Sequence, residues 1–322
     1  MINKQSIFSL ADVITLVMVI FYGYFSFLGA LFLNINNETV WGMSKVTGCM
    51  FISLFCALPL LLTAWGAKVL KGTTKNHSER RLFEVVFLVL FGLFSLFLLS
   101  SYSPFIHYFT VSNRDTSIND KINRVITNSE AMFDHYESLV DRRIFNYQGK
   151  LRAVVEGGSY TQLEDYKISN ANVSNEEKVK TRIEIMRFAL LPPHYSDSTT
   201  QNGIKQVAMK WLGDAKQIPH KWRPIGLVSL VPNIERNISD WEQLLKTLYE
   251  DGIQPGENVE PEQFDYNVRV VRLSSDFTLT DSPRMITIMF ALFLNLLMLL
   301  SWFMTKRDRK GYSKLKPYEV EL

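Results

Sequence analysis

Cysteine is nearly absent from this chain: 322 residues carry two, Cys49 and Cys56, both inside one apolar run. Seven positions apart on a helix, they lie about 10 Å from each other, beyond the roughly 7 Å between Cα atoms that a disulfide tolerates. The middle of the chain has none, so its fold must rest on packing rather than cross-links. Histidine is scarce as well. His77, His107, His135, His194 and His220 never fall at i, i+3 or i+4 from one another, which excludes the helical zinc pair of an HExxH site. No glycine-rich phosphate loop, dinucleotide fingerprint or GxSxG elbow occurs, so the sequence names no enzyme and no cofactor. Nor is there a large excess of one charge. Lys and Arg number 35 against 32 Asp and Glu, and no basic stripe alternates with aromatics as nucleic-acid binding would require.

Charge is instead unevenly spread. Four runs are almost free of it, at residues 13–33, 46–67, 82–101 and about 285–304. Each has about twenty residues, enough at ~1.5 Å per residue to cross a ~30 Å hydrocarbon core as a helix. Helices are required there, because lipid offers the backbone no other hydrogen-bond partners. The first run is too long for a signal-peptide core and no A-x-A site follows it, so it reads as a retained anchor. The predicted fold class is a mainly α integral membrane protein. Three spans occupy 1–103, a domain at 104–283 is α-rich with a minor β part, a fourth span follows at 284–305, and a tail covers 306–322.

Basic residues set the expected orientation. The link at 68–81 holds Lys68, Lys71, Lys75, Arg80 and Arg81, and the tail holds Lys306, Arg307, Arg309, Lys310, Lys314 and Lys316. The link between the first two spans holds only Lys45. The positive-inside rule then puts both termini and the basic link in the cytoplasm, in a plasma membrane (the inner one in a bacterium). Residues 104–283, with about 21 basic against about 25 acidic side chains, fall on the other side.

Within that insert, residues 115–156 read as one long helix. Ile118, Ile122, Val125, Met132, Tyr136 and Leu139 recur at threes and fours, and after a shift of phase Val140, Ile144, Tyr147, Leu151 and Val154 continue. This is a coiled-coil-like seam with one stutter, ended by Gly157 and Gly158. A capping box at Ser174 to Glu177 predicts a second helix that stops before Pro192. A short helix around Trp211 follows, and a further box at Ser239 to Glu242 predicts a helix start there. Residues 225–231 and 266–273 are rich in β-branched side chains and are predicted strands.

Three groups are candidate sites. Glu130, Asp134, Glu137 and Asp141 form a stripe about 60° wide on the long helix, opposite Tyr136. Like charges at i, i+4 cost a few tenths of a kcal/mol, so Ca²⁺, a basic partner or neighbouring Lys and Arg could offset them; the plainer reading is a solvated face. Glu84 in the third span reads first as a snorkelling carboxylate paired with Arg80 or Arg81. Asn295 in the fourth span reads first as a bond between helices, and otherwise as a substrate or ion contact. Ser26 and Ala30 permit close helix packing.

The function expected from this pattern is a membrane-anchored interaction or sensor subunit. Its insert would bind a partner or ligand and act through assembly with a second copy or another membrane protein, in contact with membrane lipid. The alternative is a subunit of an oligomeric channel or transporter.

Overall fold

The computed structural model describes residues 9–72, 77–100, 102–168, 173–195, 203–220, 223–257 and 273–306. It is mostly helical, and its contacts divide it into two compact units. One is Met1–Asp115 with Ser274–Leu322; the other is Thr116–Leu273.

Three helices of the first unit are long and apolar enough to cross a membrane, Leu10–Leu33 (α1), Lys45–Lys71 (α2) and Glu79–Leu98 within His77–Leu98 (α3). The lipid-like surface is written in which side chains they leave outward. Leu10, Ile20, Phe55, Leu62, Leu96 and Phe97 are all more than 60% exposed. In water an apolar face of that extent would have to be covered; in hydrocarbon it needs no cover. The link between α1 and α2 is a small hairpin, Thr39–Val40 (β1) paired antiparallel with Met43–Ser44 (β2). Trp41 and Gly42 at its tip both have positive φ, 54° and 74°, the backbone of a two-residue turn that suits glycine at the second place. Ser44 then caps α2 by accepting from the Thr47 amide.

Pro104–Ser112 (α4) is a helix of its own, opened by Pro104 in its first turn. It packs closely on α1. Tyr22 stacks on Phe105 with ring centres 4.3 Å apart, and a Cβ on Gly29 would collide with the Pro104 carbonyl oxygen. Only glycine permits this approach of the two backbones. Ser26 and Ala30, on the same stretch of α1, are fully buried. The aromatic stretch around Pro104, expected with the insert, thus belongs to the apolar core, where Tyr22, Phe105, Leu60, Phe91, Leu294 and Met298 meet.

The fourth apolar run is not one helix. Met285–Met298 (α11) and Leu300–Met304 (α12) are separated at Leu299. The Thr15 hydroxyl of α1 donates to the Met298 carbonyl at this break, at 3.0 Å. Before them in the chain comes Leu273–Thr278 (α10).

The second unit is built on Asp115–Gly157 (α5), 43 residues long and therefore about 65 Å. It is followed by Tyr160–Asp165 (α6), Asn175–Leu190 (α7), Ile204–His220 (α8) and Pro224–Asp251 (α9). Ser174 caps α7 through the Glu177 amide as the capping box predicts. From Ile118 to Leu151 the seam of α5 is buried within this one chain, on both sides of the stutter. Part of the coverage comes from α7 and α9: Tyr136 donates to the Leu190 carbonyl and Phe133 meets Trp241 edge-on at 5.8 Å.

Two expectations are overturned here. Residues 225–231 are helix, not strand, and Ser239 lies inside α9 rather than at its start. The buried set Leu227, Val231, Ile234, Ile238, Leu245 and Tyr249 explains both. Its steps of three, four and seven are helical, and burying that stripe carries the helix through Ser239, whose capping preference is worth only about 1 kcal/mol. Pro224, with its fixed φ, opens α9 instead. The second predicted strand, 266–273, lies outside the described residues except Leu273, which starts α10.

Candidate functional site at the end of the apolar bundle

A polar cluster forms where α1 begins and α2 ends. Asp12 enters α1 in its first turn, and its Oδ2 accepts from the Ser9 amide at 2.6 Å and the Ser9 hydroxyl at 2.8 Å. A carboxylate at a helix N-terminus is favourable in itself, because it meets unpaired amides and the positive end of the dipole. Its other oxygen is shared. Oδ1 accepts from Lys68 Nζ at 2.5 Å and from the Ser301 hydroxyl. Lys68 sits in the last turn of α2, where a cation meets free carbonyls.

One helical turn further, Lys71 Nζ donates to the Trp302 carbonyl at 2.8 Å and lies 4.2 Å from the centre of its ring. The Trp302 indole in turn donates to Glu84 Oε1 at 3.0 Å. The short helix α12 is thereby gripped by side chains from α1, α2 and α3. Glu84 is 2% exposed. The indole reaches this buried carboxylate from across the bundle.

Asn295 is buried on α11, and its Oδ1 has no hydrogen-bond partner among the described residues. The hydroxyls of Ser26 and Ser95 are in the same condition. Cys49 and Cys56 are both buried and unbridged.

In the second unit the acidic stripe of α5 is matched from within. Lys216 contacts Glu130 at 2.7 Å, and Lys205 contacts Asp134 at 3.1 Å and Glu137 at 2.9 Å. Arg187 approaches Asp141 to 4.0 Å. Burial opposes the charge on Lys205, but its bonds to Glu137 and Asp134 outweigh that and hold its pKa above the ordinary lysine value. Neighbouring Lys and Arg side chains thus offset the stripe. Tyr136, on the opposite face, is fully buried between Tyr195 and Tyr249, and burial raises the pKa of its hydroxyl.

A further ion pair went unread in the sequence. Arg143 interrupts the apolar seam one residue before Ile144, and its guanidinium binds Glu257 through two bonds, 2.6 Å and 2.9 Å. A third bond reaches the Tyr249 carbonyl at 2.5 Å. Both side chains are less than a tenth exposed. The signal available was an arginine at a core position, which demands a buried partner. Among the described residues no three His, Cys, Asp or Glu side chains gather as metal ligands would. Comparison with protein-family models, with curated proteins and with solved structures finds no match to this chain.

Proposed function

We propose that the chain crosses the membrane four times and serves as an anchored interaction or sensor subunit. The fourth crossing is α11 with α12, the basic link and tail face the cytoplasm, and the unit Thr116–Leu273 lies outside. What carries the reading is the contrast between the two units. Helices α1 to α3 turn apolar side chains outward, whereas the unit Thr116–Leu273, encoded between the third and fourth apolar runs, is rich in surface charge. A protein built so devotes most of its polar recognition surface to one side of the bilayer. The polar girdle that holds α12 supports it too, since the helix that returns from the insert ends there.

Reporter fusions test the topology. Fusions at Asn37 and within the insert should read extracytoplasmic, and those at Thr73 and after Leu322 cytoplasmic; a cytoplasmic insert refutes the proposal. In-cell cross-linking tests the role. A cross-linked complex containing this chain should form and should require residues 116–273, and a chain that stays monomeric with the insert intact counts against it. A channel or transporter subunit is the second reading. It is favoured by the unpartnered side-chain oxygens of Ser26, Ser95 and Asn295 inside the apolar bundle, which is where a pore or substrate path would place polar groups.

A further inference from the structure

Beside the girdle, a cleft of about 150 Å³ opens between α1, α2 and α12. Leu16, Leu61 and Trp65 line its apolar part, and Leu16 and Trp65 are 38% and 49% exposed, so the cleft opens sideways rather than into the core. Its other end is polar, formed by Asp12, Lys68 and Ser301. A dry cavity of roughly this volume takes a benzene-sized guest. This one therefore accommodates a few carbons of a chain beside a polar head, not a whole soluble metabolite.

We propose that the cleft is a binding site for one anionic phospholipid, with its phosphate on Lys68 and the start of an acyl chain against Leu16, Leu61 and Trp65. An ammonium has three N–H donors, and one goes to Asp12. Asp12 does not repel the phosphate strongly, because Lys68, Ser301 and Ser9 cover both of its oxygens. Charge around the mouth selects the lipid. Lys71, one turn beyond Lys68 in the last turn of α2, carries the second positive charge at this end. Basic residues beside a membrane helix attract anionic headgroups by about 1 kcal/mol each, which is about fivefold in affinity. Tryptophan at the edge of the apolar zone is the residue type that favours the headgroup boundary. The site also bears on the proposed subunit role, since a lipid seated here touches α12 at the point where three helices hold it.

The assignment rests on the membrane reading above, and the experiment separates the two. Membranes containing the full-length chain are first washed with alkaline carbonate. Release of the chain ends the membrane reading itself. The retained protein is then purified in a non-ionic detergent and titrated with phosphatidylglycerol or phosphatidylcholine of equal chain length, and bound lipid is counted by native mass spectrometry. The wild type should retain one phosphatidylglycerol with a preference of about fivefold over phosphatidylcholine. Lys68→Gln should lower retention of both lipids, since each carries the phosphate that Lys68 holds. Leu16→Trp leaves the Asp12–Lys68 pair intact and fills the cleft, so it should lower retention of both lipids while the melting temperature without lipid stays within a few degrees of wild type. Equal retention of the two lipids by wild type, or full retention by Leu16→Trp, overturns the proposal. Soluble glycerol phosphate serves as the headgroup without chains; competition by it at equal concentration would reassign the cleft to free phosphate esters and also overturn the lipid site.

Discussion

Arg143→Met removes a buried cation and leaves its partner behind. The guanidinium gives up two bonds to Glu257, one to the Tyr249 carbonyl and a position 4.6 Å above the Tyr249 ring. Among the described residues Glu257 then keeps only the Gln254 amide, at 2.9 Å. Stranding one charge of a buried pair costs about 3–5 kcal/mol. For a unit of this size each kcal/mol lowers the melting temperature by about 2–4 °C, so the variant should melt about 10 °C below wild type. Replacing both partners, Arg143→Met with Glu257→Leu, should recover most of that loss, since no charge is then left unpaired; the Gln254 amide keeps a residual cost of about 1 kcal/mol. Hydrogen-exchange mass spectrometry of the full chain in micelles reads α5 and α9 apart from the apolar helices. Exchange in those two should accelerate about 100-fold or more in the single variant, while α1 to α3 stay as protected as in wild type. A single variant that melts within about 2 °C of wild type, or a double variant as weak as the sum of the two single ones, would refute the account of this pair as a buried clasp.

The second unit should lose stability in alkali. Burial raises the hydroxyl pKa of Tyr136 and Tyr195 and pushes that of Tyr147 up to about 12, so the unfolded chain sheds these protons first, near pH 10. Lys205 acts in the same sense, since its pairs stabilise the fold at neutral pH and fade as pH rises through its elevated pKa. Melting temperature should therefore fall between pH 10 and 12, Tyr147 alone accounting for about 3 kcal/mol. Tyr147→Phe should flatten the curve, and an unchanged slope would contradict the assignment. Gly29→Ala should prevent α4 from docking on α1 and cost about 3 kcal/mol or more, read as loss of folded protein in micelles, whereas Gly92→Ala, with open space around it, should be tolerated. Asn295→Leu removes a buried acceptor without a partner and should stabilise an isolated chain by about 1 kcal/mol. Weaker self-association in that variant would instead locate the missing donor on a second copy.

Much of the architecture was legible before any coordinates, because hydropathy and helical period are local properties. The apolar runs of α1 to α3, the full extent of α5, the cap at Ser174 and the end at Gly157 all follow from neighbours within a few turns. The failures share a cause. Residues 225–231 carry strand-like composition, yet a stripe from Leu227 to Tyr249 decided for helix, because burial over about six turns outweighs local preference. At the break before Leu299 the Met298 carbonyl accepts from Thr15, 283 positions away. Glu84 was recognised as unusual, but its partner Trp302 lies 218 positions on, and the nearby arginines were the only partners that the sequence placed in reach. By itself the sequence determined which segments avoid water, where the long helix runs and which residues are costly to bury. Only the tertiary structure decided the pairings: Asp12 with Lys68 and Ser301, Arg143 with Glu257, the acidic stripe with Lys205 and Lys216. Amphipathic pattern says that a face must be covered, while the choice of partner depends on how whole helices pack, and nothing local encodes that.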